Sequence, residues 1–378
     1  MRVALLTYST RPRGGVVHTL ALAEALARAG AAVTVFAIGR DGDAAFFRPV
    51  DPAVTVRLAP LPDVEGESVG ARVLRSIEAL AAIVDPDEFD VVHAQDCISA
   101  NAVPGAVRTV HHLDHFTTPE LAACHERALL TPCAHVCVSA AVAAELAEGW
   151  GIGATVIPNG VDAARFGAAA WGTAAAEAAR LAWRARLGSG LLVLAVGGIE
   201  PRKGTLDLVE AVRLLRERGR AVTLVIAGGE TLFDYRDYRA AFDAACAAAR
   251  VDPVILGPVP HDELPALVAT ADVFAFPSTR EGFGLAALEA LAANTPVVVS
   301  DLPVLREVFG DCVRYAPADP SSGSRGAGLA DALADALARP DRLRRRRGRA
   351  LAKSLTWDAS AAAHLALYAG LPARARPA

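Results

Sequence analysis

The sequence predicts an α/β protein made of two consecutive, doubly wound parallel sheets. Three observations carry this. Short apolar runs bounded by turn residues alternate with stretches of helical apolar spacing along both halves of the chain. The length of 378 residues suits about two domains of ordinary size. Between 163 and 190 the composition shifts to alanine and arginine with few strand formers, which reads as an inter-domain connection, partly helical around Ala174 to Leu187. A hydrophobic content of 53% with 21% charged residues provides for sizeable cores and excludes a disordered chain.

The first half opens with the apolar run Arg2 to Tyr8, then the loop STRPRGG, then a helix from Val16 in which Val17, Leu20, Leu22 and Leu26 recur at helical spacing. Gly30 closes that helix and AAVTVFAI supplies the next strand. The pair Gly14–Gly15 therefore sits at the first strand-to-helix turn, where free backbone N–H groups favour an anion. The pattern is not GxGxxG, which argues against an ordinary dinucleotide site. Strands at Val54 to Leu58 and Asp90 to His93 flank a helix from about Val69 to Val84. RTVHHLDHF then carries His111, His112 and His115 into a loop beyond a strand's C-terminal end, where ligands of open parallel sheets bind. His18 is expected to approach the same crevice. A helix within Pro119 to Leu130, the strand HVCVS, a helix from Ala140 to Glu148 and the segment TVIPNGVD complete this half.

In the second half, LLVLAVGG (191–198) is a buried strand followed by IEPRKG and a helix to Glu217. TLVIAGG (223–229), a helix through Tyr238 to Arg250, VILGPV and the short helix in HDELPALVATAD follow. Next comes a strand-turn-helix-strand unit: Val273 to Pro277, a turn broken by Gly282 and Gly284, a helix from about Leu285 to Ala293, and a strand from Val297 to Ser300. Asn294 is placed for the left-handed C-terminal position, with Pro296 just beyond. VRYA near Val313 ends the sheet. If helical rise held from Glu281 to Glu289, these carboxylates would lie roughly 12 Å apart. A hydrolytic pair needs about 5 to 10 Å, so the spacing suits two ends of a long ligand. Arg202 and Lys203 lie in the loop after the half's first strand, on the same sheet edge as Glu281, where cations can neutralise a diphosphate.

Bulk properties narrow the class further. A net charge of -4 gives no reason to expect nucleic acid. No apolar run approaches the roughly 18 residues needed to span a bilayer. The start of the chain enters a strand directly without the features of a signal peptide, and a cytoplasmic enzyme is expected. The run LRRRRGR (343–349) on a late helix is compatible with attraction to anionic lipid head groups, hence a place at the inner membrane surface. Cys133 and Cys137 lie near His125 and His135, but the spacing lacks a CxxC pair, and buried free thiols are expected rather than a metal site.

Together these motifs resemble the retaining GT-B glycosyltransferases of family 4 (glycosyl transferases group 1), over nearly the whole chain. GGVVH (14–18) resembles that family's first-turn glycine motif and VIPNGVD (156–162) its inter-domain signature. REGFGLAALEA with TPVVVSD resembles its donor-site E-x7-E motif, and TWDASAAAHLALY its closing helix. The resemblance implies two Rossmann-like domains facing across a cleft. The acceptor domain would cover 1–165, with a C-terminal helix at 355–372 packing back on it, and the nucleotide-sugar donor domain 188–352. It further implies that Glu289 binds ribose hydroxyls, Glu281 orients the transferred sugar, and the amides of Phe283, Gly284 and Leu285 meet phosphate or sugar oxygens. Lys203 would hold the diphosphate, with Arg202 beside it, Gly15 would close on it, and His111 would reach the sugar or its leaving oxygen. Two positions depart from the pattern: Gly198 stands where the family commonly has a phosphate-clamping arginine, and Asn294 replaces a usual glycine.

The expected reaction is transfer of a hexosyl group from a nucleotide-diphosphate sugar to an acceptor hydroxyl, with retention and without a cofactor. No Asp-x-Asp motif sits at a strand end of the second half to hold a divalent ion, and stabilisation of the leaving diphosphate by Lys203 and oriented amides takes that role. Two other readings are open: a nucleotide-sugar epimerase or phosphorylase on the same architecture, and a non-catalytic nucleotide-sugar or carbohydrate-binding protein, for which Gly198 is the main support. The donor base, the sugar, the acceptor and the oligomeric state are not encoded in recognisable motifs.

Overall fold

A computed structural model describes residues 1–40, 42–113, 119–171, 173–228, 235–317, 323–339 and 341–371. They form two compact units, Met1–Gly160 together with the segment from Trp357 onward, and Val161–Thr356. His115 and Gly229 lie outside the described residues.

In unit 1 the order is β1 (Arg2–Thr7), α1 (Gly14–Arg28), β2 (Ala32–Arg40), β3 (Val54–Leu61), α2 (Val69–Ala81), β4 (Val91–Ala94) and α3 (Cys97–Ala102). β5 (Val107–Val110), α4 (Pro119–Leu130), β6 (Ala134–Cys137), α5 (Ala140–Trp150) and β7 (Thr155–Val156) follow. The sheet runs β3-β2-β1-β4-β5-β6-β7 and its pairings are parallel. Helices cover both faces of such a sheet, so its central strands read as unbroken apolar runs rather than alternating ones. Val3, Ala4, Leu5 and Leu6 of β1 are all fully buried. α1 starts at Gly14, two residues before the apolar pattern does, because the Val17 amide already donates to the Arg13 carbonyl at 2.8 Å. Cys137 is buried in β6, whereas Cys133, in the turn before that strand, is exposed rather than buried as expected.

Unit 2 begins with α6 (Ala163–Ala170) and α7 (Ala174–Leu187), then β8 (Leu191–Val196), α8 (Thr205–Glu217), β9 (Val222–Ala227), α9 (Arg236–Ala249), β10 (Val254–Gly257) and α10 (Leu264–Thr270). β11 (Val273–Phe276), α11 (Leu285–Ala292), β12 (Val297–Ser300), α12 (Pro303–Phe309), β13 (Arg314–Ala316), α13 (Arg325–Ala338) and α14 (Arg342–Ser354) complete it. The sheet runs β10-β9-β8-β11-β12-β13, again with parallel pairings. The alanine-rich segment from 163 is part of this unit rather than a connection. α6 and α7 both pack on α10, and Phe166 and Trp183 are buried as their anchors.

The arginine run of α14 is largely engaged inside unit 2. Arg345 Nε donates to the carbonyl of Asn294 at 3.1 Å, pinning the residue that ends α11 in the left-handed region at φ 60°. Arg347 pairs with Asp311, and the Arg349 guanidinium lies 4.7 Å from the centre of the Trp171 ring. Less of this charge faces outward than the bare sequence implies. No helix among the described residues is long and apolar enough to cross a membrane.

The last helix, α15 (Trp357–Gly370), belongs to unit 1 and packs against α1. Its buried face inserts Trp357, Ser360, Ala361, His364 and Tyr368. Tyr368 reaches the sheet itself: its hydroxyl is 2.6 Å from His93 Nδ1 on β4.

Candidate active site

Each sheet reverses its strand order once, and the crevice beyond the strand C-termini at that reversal is where open parallel sheets bind ligands. In unit 2 the reversal lies between β8 and β11. The loop after β8 carries Arg202 and Lys203 on a single 3-10 turn, Pro201–Lys203, and the loop after β11 carries Glu281. The two loops are held together by their backbones: the Thr279 amide donates to the Arg202 carbonyl at 2.8 Å. Gly204, at φ 62°, lies so close to the Pro277 carbonyl that any Cβ there would overlap it.

That junction focuses three donors on one oxygen. Lys203 Nζ lies 2.5 Å, Arg202 Nη1 3.0 Å and Ser278 Oγ 3.2 Å from Glu281 Oε1. Arg202 Nη2 also donates to Glu200 at 3.1 Å. The Lys203 ammonium stands 4.9 Å from the centre of the Phe276 ring. Burial and the neighbouring Arg202 pull the Lys203 pKa down, while Glu281 works the other way. A cation in this state gains by meeting further negative charge, and a diphosphate would supply it. The structure thus brings Arg202, Lys203 and Glu281 into one cluster, where the sequence reading gave them separate partners. Ser278, Glu200 and Phe276 are members that the sequence reading missed.

The start of α11 adjoins this cluster in sequence. Gly284 caps it at φ 96°, and a Cβ there would meet the Phe309 ring at 3.0 Å and Leu305 at 3.2 Å, so only glycine turns the chain here. No side chain caps the helix, and Phe283 is buried beside it. The first amides of a helix lack intrahelical partners, which leaves those of Gly284 and Leu285 for a ligand. Glu289 lies one turn further along. Helical rise applies only from Leu285 onward, so the roughly 12 Å separation from Glu281 does not follow from rise alone. Burial pushes the Glu289 carboxyl up to about 7, partly offset by Arg165.

Unit 1 holds the remaining expected members, Gly15 and His111. A Cβ on Gly15 would lie 3.7 Å from both Cδ2 and Nε2 of His111, so the glycine turn and the loop after β5 touch. His18 lies buried directly behind His111. It is 1% exposed, and its Nδ1 lies 2.8 Å from Asn159 Oδ1. A carbonyl oxygen only accepts, so His18 Nδ1 donates and Nε2 is a bare acceptor, buried without a hydrogen-bond partner among the described residues. The His18 ring stands edge-on to His111 at 4.7 Å and to Trp357 at 5.3 Å, and so supports His111 from behind. Burial drives His111 well below the usual histidine range and the like charges of neighbouring cations add to this, which leaves its ring neutral at pH 7.

Comparison with known proteins places these features in a family. The model for glycosyl transferases group 1 matches residues 183–352, and that for glycosyltransferase family 4 matches 12–165. A glycogen synthase of Mycobacterium tuberculosis is 35% identical over 288 residues, covering 74% of this chain but only 61% of that protein's length. The phosphatidyl-myo-inositol mannosyltransferase of the same species is 30% identical over 399 residues, covering 97% of this chain and 96% of the other. Among solved structures, HepE of Anabaena in complex with UDP and glucose superposes with a TM-score of 0.73 at 17% identity, over 98% of this chain and all of that one. The two parallel-sheet, Rossmann-like units are those of the GT-B fold, and the chain belongs to the group 1, family 4 glycosyltransferases.

Proposed function

We propose that the protein transfers a sugar from a nucleotide-diphosphate sugar to an acceptor hydroxyl with retention of configuration and without a metal ion. The observation that carries this is the convergence of Lys203 and Arg202 on Glu281 beside the uncapped start of α11. HepE was crystallised with UDP and glucose, which favours a nucleotide sugar here too. In the proposed donor complex Glu281 turns from its cations toward sugar hydroxyls, and Lys203 and Arg202 meet the diphosphate. Glu289, once ionised, accepts from the ribose hydroxyls. His111, on unit 1, is a neutral ring that can offer a bound hydroxyl a hydrogen bond without adding positive charge.

The bond from the anomeric carbon to the phosphate oxygen breaks, and charge grows on the diphosphate where the two cations and the α11 amides stabilise it. The acceptor oxygen bonds to the same face of the anomeric carbon, and its proton passes to the departing phosphate oxygen. The products are a nucleoside diphosphate and a glycoside of unchanged anomeric configuration. NMR of the product tests the stereochemistry, and an inverted anomer refutes it. Gly198, in place of the usual arginine, favours a second reading as a non-catalytic binding protein. Release of nucleoside diphosphate separates the two, because a binding protein releases none.

A further inference from the structure

Two of the chain's six cysteines meet inside unit 1. Cys97 opens α3, Cys124 lies midway along α4, and these two helices pack together. Asn101 fixes how they meet. Its Nδ2 lies 2.7 Å from the Cys97 carbonyl, 2.8 Å from the Cys124 carbonyl and 3.2 Å from Cys124 Sγ. Cys97 and Asn101 are 4 positions apart on one helix and share a face, so the Cys97 thiol is directed at the same part of α4. Both cysteines belong to the apolar cluster of Val73, Ile98 and Leu121, and their thiols hydrogen-bond to each other.

The contact makes the two thiols unequal. Cys124 Sγ accepts from the Cys97 S–H and from Asn101 Nδ2. The hydrogen bond from Cys97 draws the Cys124 thiol down against the effect of burial, and Arg127 adds to this. Cys97, the donor, is held well above the usual thiol range by the same bond and by burial. The thiolate is the nucleophile in oxidation, and here the sulfur that forms it already touches a second thiol. Cys97 is half-buried and Cys124 buried, which favours a small oxidant over a bulky one.

We propose that Cys97 and Cys124 are a redox pair that closes to a disulfide on exposure to a hydroperoxide and reopens with a dithiol. The Cys124 sulfur attacks the outer peroxide oxygen, the O–O bond breaks, and the departing oxygen takes the thiol proton and leaves as water or an alcohol. Cys124 is then a sulfenic acid. The Cys97 sulfur attacks it, the S–O bond breaks, and hydroxide leaves with the Cys97 proton as water. Two thiols give up two electrons and two protons, and the hydroperoxide accepts them. A dithiol reverses the step by exchange and becomes a disulfide itself. The bond ties the turn after β4, whose Asp96 accepts from the Tyr8 amide at 2.9 Å, to the helix that follows the His111 loop. The inference does not depend on the sugar-transfer reading.

The test treats the full native chain with hydrogen peroxide, blocks the remaining thiols and maps unreduced peptides by mass spectrometry. Cys133→Ser is run beside the wild type, because the exposed Cys133 offers a second route of oxidation. A Cys97–Cys124 cross-link should form in both, at least about tenfold faster than in the urea-unfolded chain, where the two cysteines must first find each other. Dithiothreitol should return it to two thiols. Cys97→Ser should instead leave Cys124 as a sulfenic acid that dimedone traps, and Cys124→Ser should leave Cys97 unlabelled. The wild-type map decides the matter even where a variant fails to fold. A native chain that keeps Cys97 and Cys124 as free thiols while Cys133 is oxidised overturns the inference. So does a cross-link that forms no faster in the folded chain, or one that joins other cysteines. Equal dimedone labelling of the two single variants overturns the order of attack.

Discussion

Glu289 should make stability and donor binding change in opposite directions as pH rises, and replacing it by glutamine should remove both dependences. Glu289 titrates near 7 in the folded protein, against 4.5 for an ordinary glutamate, because burial disfavours its charge. The folded state therefore takes up a proton that the unfolded chain does not hold between pH 4.5 and 7. The resulting stability is fully present below 4.5 and is lost as pH rises through 7. Moving a carboxyl from 4.5 to about 7 corresponds to roughly 3 kcal/mol. The side chain keeps some solvent contact, which sets this as an upper figure. Glu289→Gln, a neutral isostere, should match wild type in urea unfolding at pH 5 and exceed it at pH 8 by up to that amount. If ribose hydroxyls donate to the ionised carboxylate, donor binding by the wild type must also release a proton. Calorimetry in buffers of different ionisation enthalpy should find about half a proton released at pH 7. Affinity should rise with pH up to 7 and then level, and Glu289→Gln should abolish that dependence. An unfolding difference that is the same at pH 5 and pH 8 would refute the reasoning.

Three further outcomes follow from the same contacts. Gly204→Ala forces a Cβ against the Pro277 carbonyl at a left-handed position, so it should cost about 2 kcal/mol or more in unfolding and weaken donor binding by prising the two loops apart; an unchanged melting temperature with normal affinity contradicts this. His364 titrates near 4 and His18 near 3, both lowered by burial, so their stability is present above 6.5 and lost as pH falls towards those values. His364→Phe should flatten the acid limb of the unfolding curve between pH 6.5 and 4, and an unaltered limb argues against it. Asn159→Ala leaves the His18 Nδ1–H buried without an acceptor and should destabilise unit 1 by about 1–3 kcal/mol, read by thermal unfolding; no loss would mean that water satisfies the ring.

Much of the fold was legible because fully buried parallel strands leave an unmistakable trace. LLVLAV, VFAF and VVVS are unbroken apolar runs ended by glycine, proline or aspartate, and each became a strand within a residue or two of its expected bounds. The segment from 163 was misread because alanine carries little signal for burial; Phe166 alone anchors α6, and one aromatic has no period. Loop chemistry was legible as composition but not as pairing. Lys203 and Glu281 are 78 positions apart, and only the strand order β8–β11 reveals that their loops are neighbours. His18 illustrates the converse: it stands in the glycine motif, yet the closing helix covers it with Trp357 and His364, more than 300 positions away in the chain. The contact between Cys97 and Cys124 left no sequence signal, since the two stand on separate helices and meet only where α3 packs on α4.

The most direct test is nucleoside diphosphate release from UDP-, GDP- and ADP-sugars, measured for the wild type and for Lys203→Ala. One donor class should support release by the wild type, and Lys203→Ala, which removes the ammonium 2.5 Å from Glu281, should lower that turnover by about a hundredfold or more. Release from none of these donors, or near-normal release by Lys203→Ala, would contradict a donor site built on Lys203, Arg202 and Glu281.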